Sequence, residues 1–181
     1  MKINRIPQHS RILVKILECW VLNFMTSLRS DKIGIFRAYD IRGKYPLEIN
    51  EEVTIKIVQR LGHYFNLKAK SSPRAKAQLL VRGYKLKAKI VIGHDARLSS
   101  PNLYRAATKG LQTMDYRLQL IKVGLATTPM LTFLVNYFKA AGGIMITASH
   151  NPKEYNGLKV VGKNAEPIGG KDVLRIMNNE S

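Results

Sequence analysis

The chain has 181 residues, which is room for one α/β domain with a tail but hardly for two. Hydrophobic residues make up 45% of it, which argues against gross disorder, and its single cysteine, Cys19, favours a reducing, cytoplasmic setting. The net charge of +18 at first suggests nucleic acid or an anionic membrane as a partner, so its distribution along the chain matters.

Residues 1–30 precede the first clear element and form a basic extension. Its apolar stretch, residues 12–25, is too short to span a membrane and contains Lys15 and Glu18. Residues 25–29 are a poor signal-peptide cleavage site. We therefore predict a helical or loosely ordered extension. The alternative is an amphipathic helix that lies on a membrane or on a partner.

A strand and a helix are predicted next. Residues 35–39 are typical of a short strand that leads to a turn at residues 42–43. Asn50 is a suitable helix cap, and Glu51 and Glu52 lie near the positive end of the helix dipole. Apolar residues at helical spacing then predict the inner face of this helix: Val53, Ile57, Val58, Leu61 and Phe65.

Residues 68–89 interrupt this pattern with eight basic residues and no acidic one. This segment and residues 1–30 together carry +12 of the net charge of +18, so the basicity belongs mostly to additions to the domain. Tyr84 is the only aromatic residue of the segment. The segment therefore lacks the several aromatic side chains on which the bases of single-stranded nucleic acid stack. We therefore predict that this segment is a solvated insert, and that nucleic acid and membranes are not partners of the protein. A basic module that binds anionic surfaces through residues 68–89 is the alternative.

Strands and helices alternate beyond the insert. Ser100-Pro101 and Thr128-Pro129 are good helix starts, because proline suits the first helical turn. Four strands and a closing helix complete the pattern, at residues 89–93, 118–123, 143–147, 157–161 and 172–178. The alternation predicts a single three-layer α/β domain over residues 31–181, with a mainly parallel, mixed sheet.

Ligands of such sheets collect outside the carboxyl ends of the strands. In the last polar segment at these ends, Ser149 presents a hydroxyl beside the imidazole of His150. Lys159 follows ten residues after Ser149 and comes within reach if the loop folds back as a hairpin. No Gly-x-Ser-x-Gly elbow of a hydrolase surrounds this serine. Arg42, His150 and Lys159 would instead form an electropositive pocket suited to a phosphate ester.

Four segments resemble a known family. The loop Thr147-Ala-Ser-His-Asn-Pro-Lys-Glu-Tyr-Asn-Gly-Leu-Lys159 closely resembles the phosphoserine loop of the α-D-phosphohexomutases. Residues 36–43 and 93–101 resemble the first two motifs of that family, and residues 124–129 resemble the stretch before its third helix. The resemblance covers residues 33–170 apart from the insert, and identifies the N-terminal domain, domain I, of the phosphomannomutase/phosphoglucomutase branch.

The resemblance implies a role for five residues. Ser149 would carry a phosphoryl group, donate it to a hexose 1- or 6-phosphate, and recover a phosphate after the bisphosphate has reoriented. Arg42 would stabilise charge beside the phosphoserine. Lys159 and His150 are both candidates for proton transfer or charge stabilisation. Tyr39 would orient the pocket, so that Tyr39, Arg42 and Lys159 contact the substrate.

The resemblance also implies Mg²⁺, bound through the phosphate on Ser149. The aspartates of the family's metal loop belong to domain II, and no Asp-x-Asp-x-Asp pattern occurs in this chain. We therefore expect an incomplete fragment that needs a second polypeptide for domains II–IV. An inactive remnant is a further alternative. Asp95 and Arg97 are more simply interpreted as an ion pair that shapes their loop.

Overall fold

The computed structural model describes residues 34–71, 87–114 and 118–178. The predicted extension, residues 1–30, lies outside the described residues, as does residue range 72–86 of the predicted insert. The domain boundary at residue 31 and the basic-module alternative therefore stay predictions.

In the described part of the chain, six strands form one mixed sheet, in the order β1-β5-β4-β2-β3 with β6 beside β5. β2 pairs in parallel with β3 and β4, whereas β5 pairs antiparallel with β4, β1 and β6. The predicted mixed α/β sheet is confirmed, and β5 is the strand that runs against the others. The strands are β1 (Ile41–Lys44), β2 (Ala88–His94), β3 (Leu118–Leu125), β4 (Gly142–Ile146), β5 (Tyr155–Val161) and β6 (Pro167–Ile168).

Among the residues that the structure describes, four α-helices accompany the sheet: α1 (Glu51–Ser71), α2 (Ser100–Gln112), α3 (Thr128–Tyr137) and α4 (Gly170–Met177). Asn50 caps α1 as predicted, since its Oδ1 accepts a hydrogen bond from the Val53 N–H at 3.0 Å. α1 continues to Ser71, so the first four residues of the predicted insert are helical. Within the described ranges, no helix is both long and apolar enough to cross a membrane.

The helices cover both faces of the sheet. A Cβ added at Gly142 of β4 would overlap the ring of Phe65 in α1, whereas one added at Gly143 would lie 2.6 Å from Val135 in α3. Consecutive strand residues point to opposite faces, so α1 and α3 lie on opposite sides of the sheet. α2 packs beside α1, with Gly110 at their contact. The predicted three-layer architecture is therefore present.

The strand predicted at residues 35–39 is wrong, because β1 occupies Ile41–Lys44. Phe36 and Ile41 form an isolated antiparallel bridge across a turn, which the Arg37 N–H closes by donating to the Asp40 carbonyl at 2.8 Å. The turn predicted at residues 42–43 is correspondingly part of the strand. The position of β1 matters for the site, since β1 places Arg42 opposite Gly157 of β5.

Gly157 allows β1 to approach β5 closely. A Cβ at this position would overlap the Ile41 carbonyl oxygen and lie 3.1 Å from the Arg42 Cα. We expect Gly157→Ala to lower the free energy of unfolding by about 2–3 kcal/mol, because the backbone must shift to make room. Urea unfolding followed by circular dichroism measures this. Gly34→Ala is the matched control, since its Cβ would meet nothing within 4 Å. Equal midpoints for the two variants would contradict the prediction.

Candidate functional site

The predicted site lies where β2, β3 and β4 end. The loop of residues 147–154 follows β4 and returns the chain into β5. β1 pairs with the first half of β5, in the register Arg42 to Gly157 and Lys44 to Tyr155. β1 therefore extends past the end of β4 and lies beside the loop.

Two depressions flank this loop. The first, of about 630 Å³, is lined by Ser149 and by the segments that follow β2 and β3, including Asp95 and Thr127. The second, of about 490 Å³, lies between the loop and residues 37–42. His150 borders both depressions. The segments that follow β2 and β3 and the residues 37–42 therefore surround the Ser149 loop.

Ser149 has an unusual backbone conformation. Its φ of 56° lies in the left-handed region, which non-glycine residues adopt at a cost of about 1–3 kcal/mol. The Ser149 N–H donates to Thr147 Oγ1 at 2.9 Å, and the Ser149 carbonyl accepts from Arg97 at 2.7 Å. The exposed hydroxyl oxygen lies 3.4 Å from His150 Nδ1. The loop thus holds the hydroxyl at the surface, next to an imidazole.

Arg42 is aimed at the loop by a buried carboxylate. Its Nε and Nη2 donate to Asp40 Oδ2 at 2.7 and 2.6 Å, and only 5% of the Asp40 side chain is exposed. Arg42 Nη1 donates to Asn151 Oδ1, so the guanidinium joins β1 to the Ser149 loop. Sequence reasoning missed both partners of Arg42. Tyr39 is 87% exposed and borders the second depression, together with Arg42.

Lys159 lines neither depression. It is half-buried in β5 and pairs with Met145 of β4, which is one of the residues that line the first depression. The structure thus brings Ser149, His150, Arg42 and Tyr39 to the walls of the two depressions. The role of Lys159 stays a prediction.

The predicted pair of Asp95 and Arg97 is present, with Arg97 Nε 3.4 Å from Asp95 Oδ2. His94 stands just before it, and its ring lies 4.8 Å from that of Tyr104 between centroids. Burial raises the pKa of the Tyr104 hydroxyl. Tyr104 borders neither depression, which agrees with a packing role for this aromatic pair.

The carboxylates near Ser149 do not fit a Mg²⁺ site by themselves. Asp95 accepts short hydrogen bonds from the hydroxyls of Ser100 and Thr147, both at 2.6 Å, and Asp40 is occupied by Arg42. In the part of the chain that the structure describes, no three His, Cys, Asp or Glu residues are grouped to hold a metal. Mg²⁺ needs several oxygen ligands in an octahedral arrangement.

Comparison with known proteins decides the family. The model of the phosphoglucomutase/phosphomannomutase alpha/beta/alpha domain I matches residues 34–180. The chain belongs to this family. The phosphohexose mutases of Xanthomonas campestris pv. campestris are 38% identical over 133 residues, which is 74% of this chain and 25% of theirs. The phosphomannomutase of Escherichia coli K12 is 38% identical over 144 residues, 80% of this chain and 27% of its own.

A solved structure of the same family agrees. The phosphoglucomutase/phosphomannomutase family protein of Burkholderia thailandensis superposes with a TM-score of 0.59 at 26% identity, over 84% of this chain and 31% of that one. The family predicted from the Ser149 loop is therefore confirmed. This chain spans about a quarter of the length of these two curated relatives.

Proposed function

We propose that this chain is the phosphoserine-carrying domain of a phosphohexomutase that interconverts hexose 1- and 6-phosphates. The observation that carries the proposal is the Ser149 loop, which presents an exposed hydroxyl from a left-handed backbone beside His150. The membership of the chain in the phosphoglucomutase/phosphomannomutase family supports it. The single cysteine, Cys19, favours the cytoplasm as its setting.

The proposed chemistry is two phosphoryl transfers. In the first, the bond from phosphorus to Ser149 Oγ breaks while a bond from phosphorus to a sugar hydroxyl oxygen forms. The sugar hydroxyl loses its proton in this step, and Ser149 Oγ gains a proton as it leaves the phosphorus. The second transfer runs in reverse, from the other phosphate of the bisphosphate to Ser149. Such transfers depend on positioning and on stabilising charge, which suits the cationic Arg42 near the loop.

His150 and Lys159 remain the two candidates for moving the proton. His150 Nδ1 is 3.4 Å from Ser149 Oγ, a distance that must shorten for direct transfer. Lys159 would have to extend from β5 toward the loop. Substrate contacts through Tyr39, Arg42 and Lys159 belong to the same proposal.

Mg²⁺ would offset the charge of the phosphoryl oxygens when bound. This chain would supply a phosphate oxygen on Ser149, and the remaining ligands must come from elsewhere because Asp40 and Asp95 are already engaged. We propose that a second polypeptide with the character of domains II–IV supplies them, together with most of the sugar contacts.

Helix α3 supports this dependence on further domains. None of its ten residues is charged, although the chain as a whole is strongly basic. Met130, Phe133 and Tyr137 lie outside and are 46%, 63% and 68% exposed. An exposed apolar face of this kind marks a contact surface, and we propose that it contacts domains of the II–IV type.

The test is reconstitution of turnover. The full chain is mixed with a polypeptide made from the E. coli relative without its matched quarter, and conversion of glucose 1-phosphate and mannose 1-phosphate is followed by ³¹P NMR with Mg²⁺ present. We expect turnover in the mixture and none with either part alone, with a phosphoryl group found on Ser149 by peptide mass spectrometry. A mixture without turnover, or phosphorylation at a different residue, contradicts the proposal.

A further inference from the structure

Arg97 donates hydrogen bonds to the backbone of the Ser149 loop. Its Nη2 donates to the carbonyl oxygens of Ser149 and Asn151 at 2.7 and 2.6 Å. Its Nη1 donates to those of Pro152 and Tyr155 at 2.8 and 3.0 Å. One guanidinium thus binds four carbonyl oxygens that span the loop. The Arg97 side chain is 14% exposed and lines neither depression, so its hydrogen bonds hold these carbonyls from outside the walls of the two depressions.

Asp95 orients Arg97 and also holds Ser149 by a second route. Its carboxylate accepts the Arg97 N–H at 3.1 Å and lies 3.4 Å from Arg97 Nε. Asp95 Oδ2, the oxygen that faces Arg97 Nε, also accepts from Thr147 Oγ1 at 2.6 Å, and Thr147 Oγ1 in turn accepts the Ser149 N–H at 2.9 Å. Both backbone groups of Ser149 are therefore tied to one carboxylate, which explains how its left-handed conformation is maintained.

The far end of the loop is anchored to the same carboxylate. Asn156 is completely buried, and its Nδ2 donates to Ser99 Oγ at 2.7 Å and to Ser100 Oγ at 3.0 Å. Ser100 Oγ donates to Asp95 Oδ1 at 2.6 Å. The start and the end of the loop are thus connected through Asp95, so its geometry is set by the segment that follows β2.

We propose that Arg97, held by Asp95, is the positioning residue of the phosphoryl-carrying loop. It draws four carbonyl oxygens inward, so they do not face the phosphoryl group on Ser149, which they would repel. The proposal rests on the proposed function in one respect, that Ser149 carries that group. Arginine is required because its planar fork offers five fixed donors, whereas lysine offers three donors from one point.

The first test measures the loop without any chemistry. Arg97→Lys keeps the charge and removes the fork. Arg105→Lys on α2 is the matched control, since the Arg105 side chain is exposed and donates to its helix neighbour Asn102. We expect hydrogen exchange of the Ser149 and Asn151 amides to accelerate by at least about tenfold in Arg97→Lys, while β2 and β4 are unchanged. Wild-type exchange rates in the loop of Arg97→Lys overturn the proposal.

The second test separates positioning from substrate binding in the reconstituted mixture. We expect Arg97→Lys to lower kcat by at least about tenfold and to change KM by less than about threefold, because Arg97 does not face the depressions. A raised KM with an unchanged kcat overturns the proposal. If the wild-type mixture itself shows no turnover, the proposed function fails, and the exchange measurement still decides the role of Arg97.

Discussion

A Ser149→Ala chain is expected to acquire no phosphoryl group when the reconstituted mixture is incubated with a hexose 1,6-bisphosphate. The substitution removes the one oxygen to which the phosphorus would bind. Alanine and serine are similarly strained at the left-handed φ of 56°, so the midpoint of thermal unfolding is expected to change little. Intact-mass spectrometry after incubation measures the uptake.

Two further variants sharpen this result. Ser149→Thr keeps the hydroxyl but places a β-branched side chain at positive φ, so we expect slower uptake and a lower thermal midpoint. Ser71→Ala removes an exposed hydroxyl at the end of α1 and is expected to behave as wild type. Full uptake by Ser149→Ala would show that another residue carries the phosphoryl group.

The second large effect is expected at Arg42, which has a structural and a functional role. Arg42→Gln leaves the Asp40 carboxylate, 5% exposed, without its cation, and we expect a loss of about 3 kcal/mol in the free energy of unfolding. Adding Asp40→Asn to this variant removes the unpaired charge and is expected to restore most of that loss. Urea unfolding of the single and double variants measures both.

Phosphoryl uptake then separates the two roles. We expect the rate of phosphoryl uptake to be lower than in the wild type by about 10²–10³ in the single variant and in the double variant, because both lack the donor that stabilises transition-state charge. Arg175→Gln, which breaks an exposed ion pair with Asp172 on α4, is expected to cost less than about 1 kcal/mol and no uptake. Recovery of uptake together with stability would reduce Arg42 to a structural residue.

The sequence by itself determined most elements and the family. The cap at Asn50 and the apolar stripe of α1 depend on residues within a few turns of each other, so local spacing predicts them. The Ser149 loop is likewise one continuous segment. Its residue types and order sufficed to indicate a phosphohexomutase, and the family comparison confirmed this.

Only the tertiary structure decided where β1 lies and what surrounds the loop. Residues 35–44 contain two segments that can each form a strand, and pairing with β5 selects the second. The partners of Arg97 are backbone carbonyls more than fifty residues away, which every residue possesses and which no sequence pattern marks. The register of β5 likewise placed Lys159 opposite Met145, which lines the first depression. One continuous motif therefore singled out Ser149 as a candidate, and contacts distant in sequence show how the backbone of Ser149 is held.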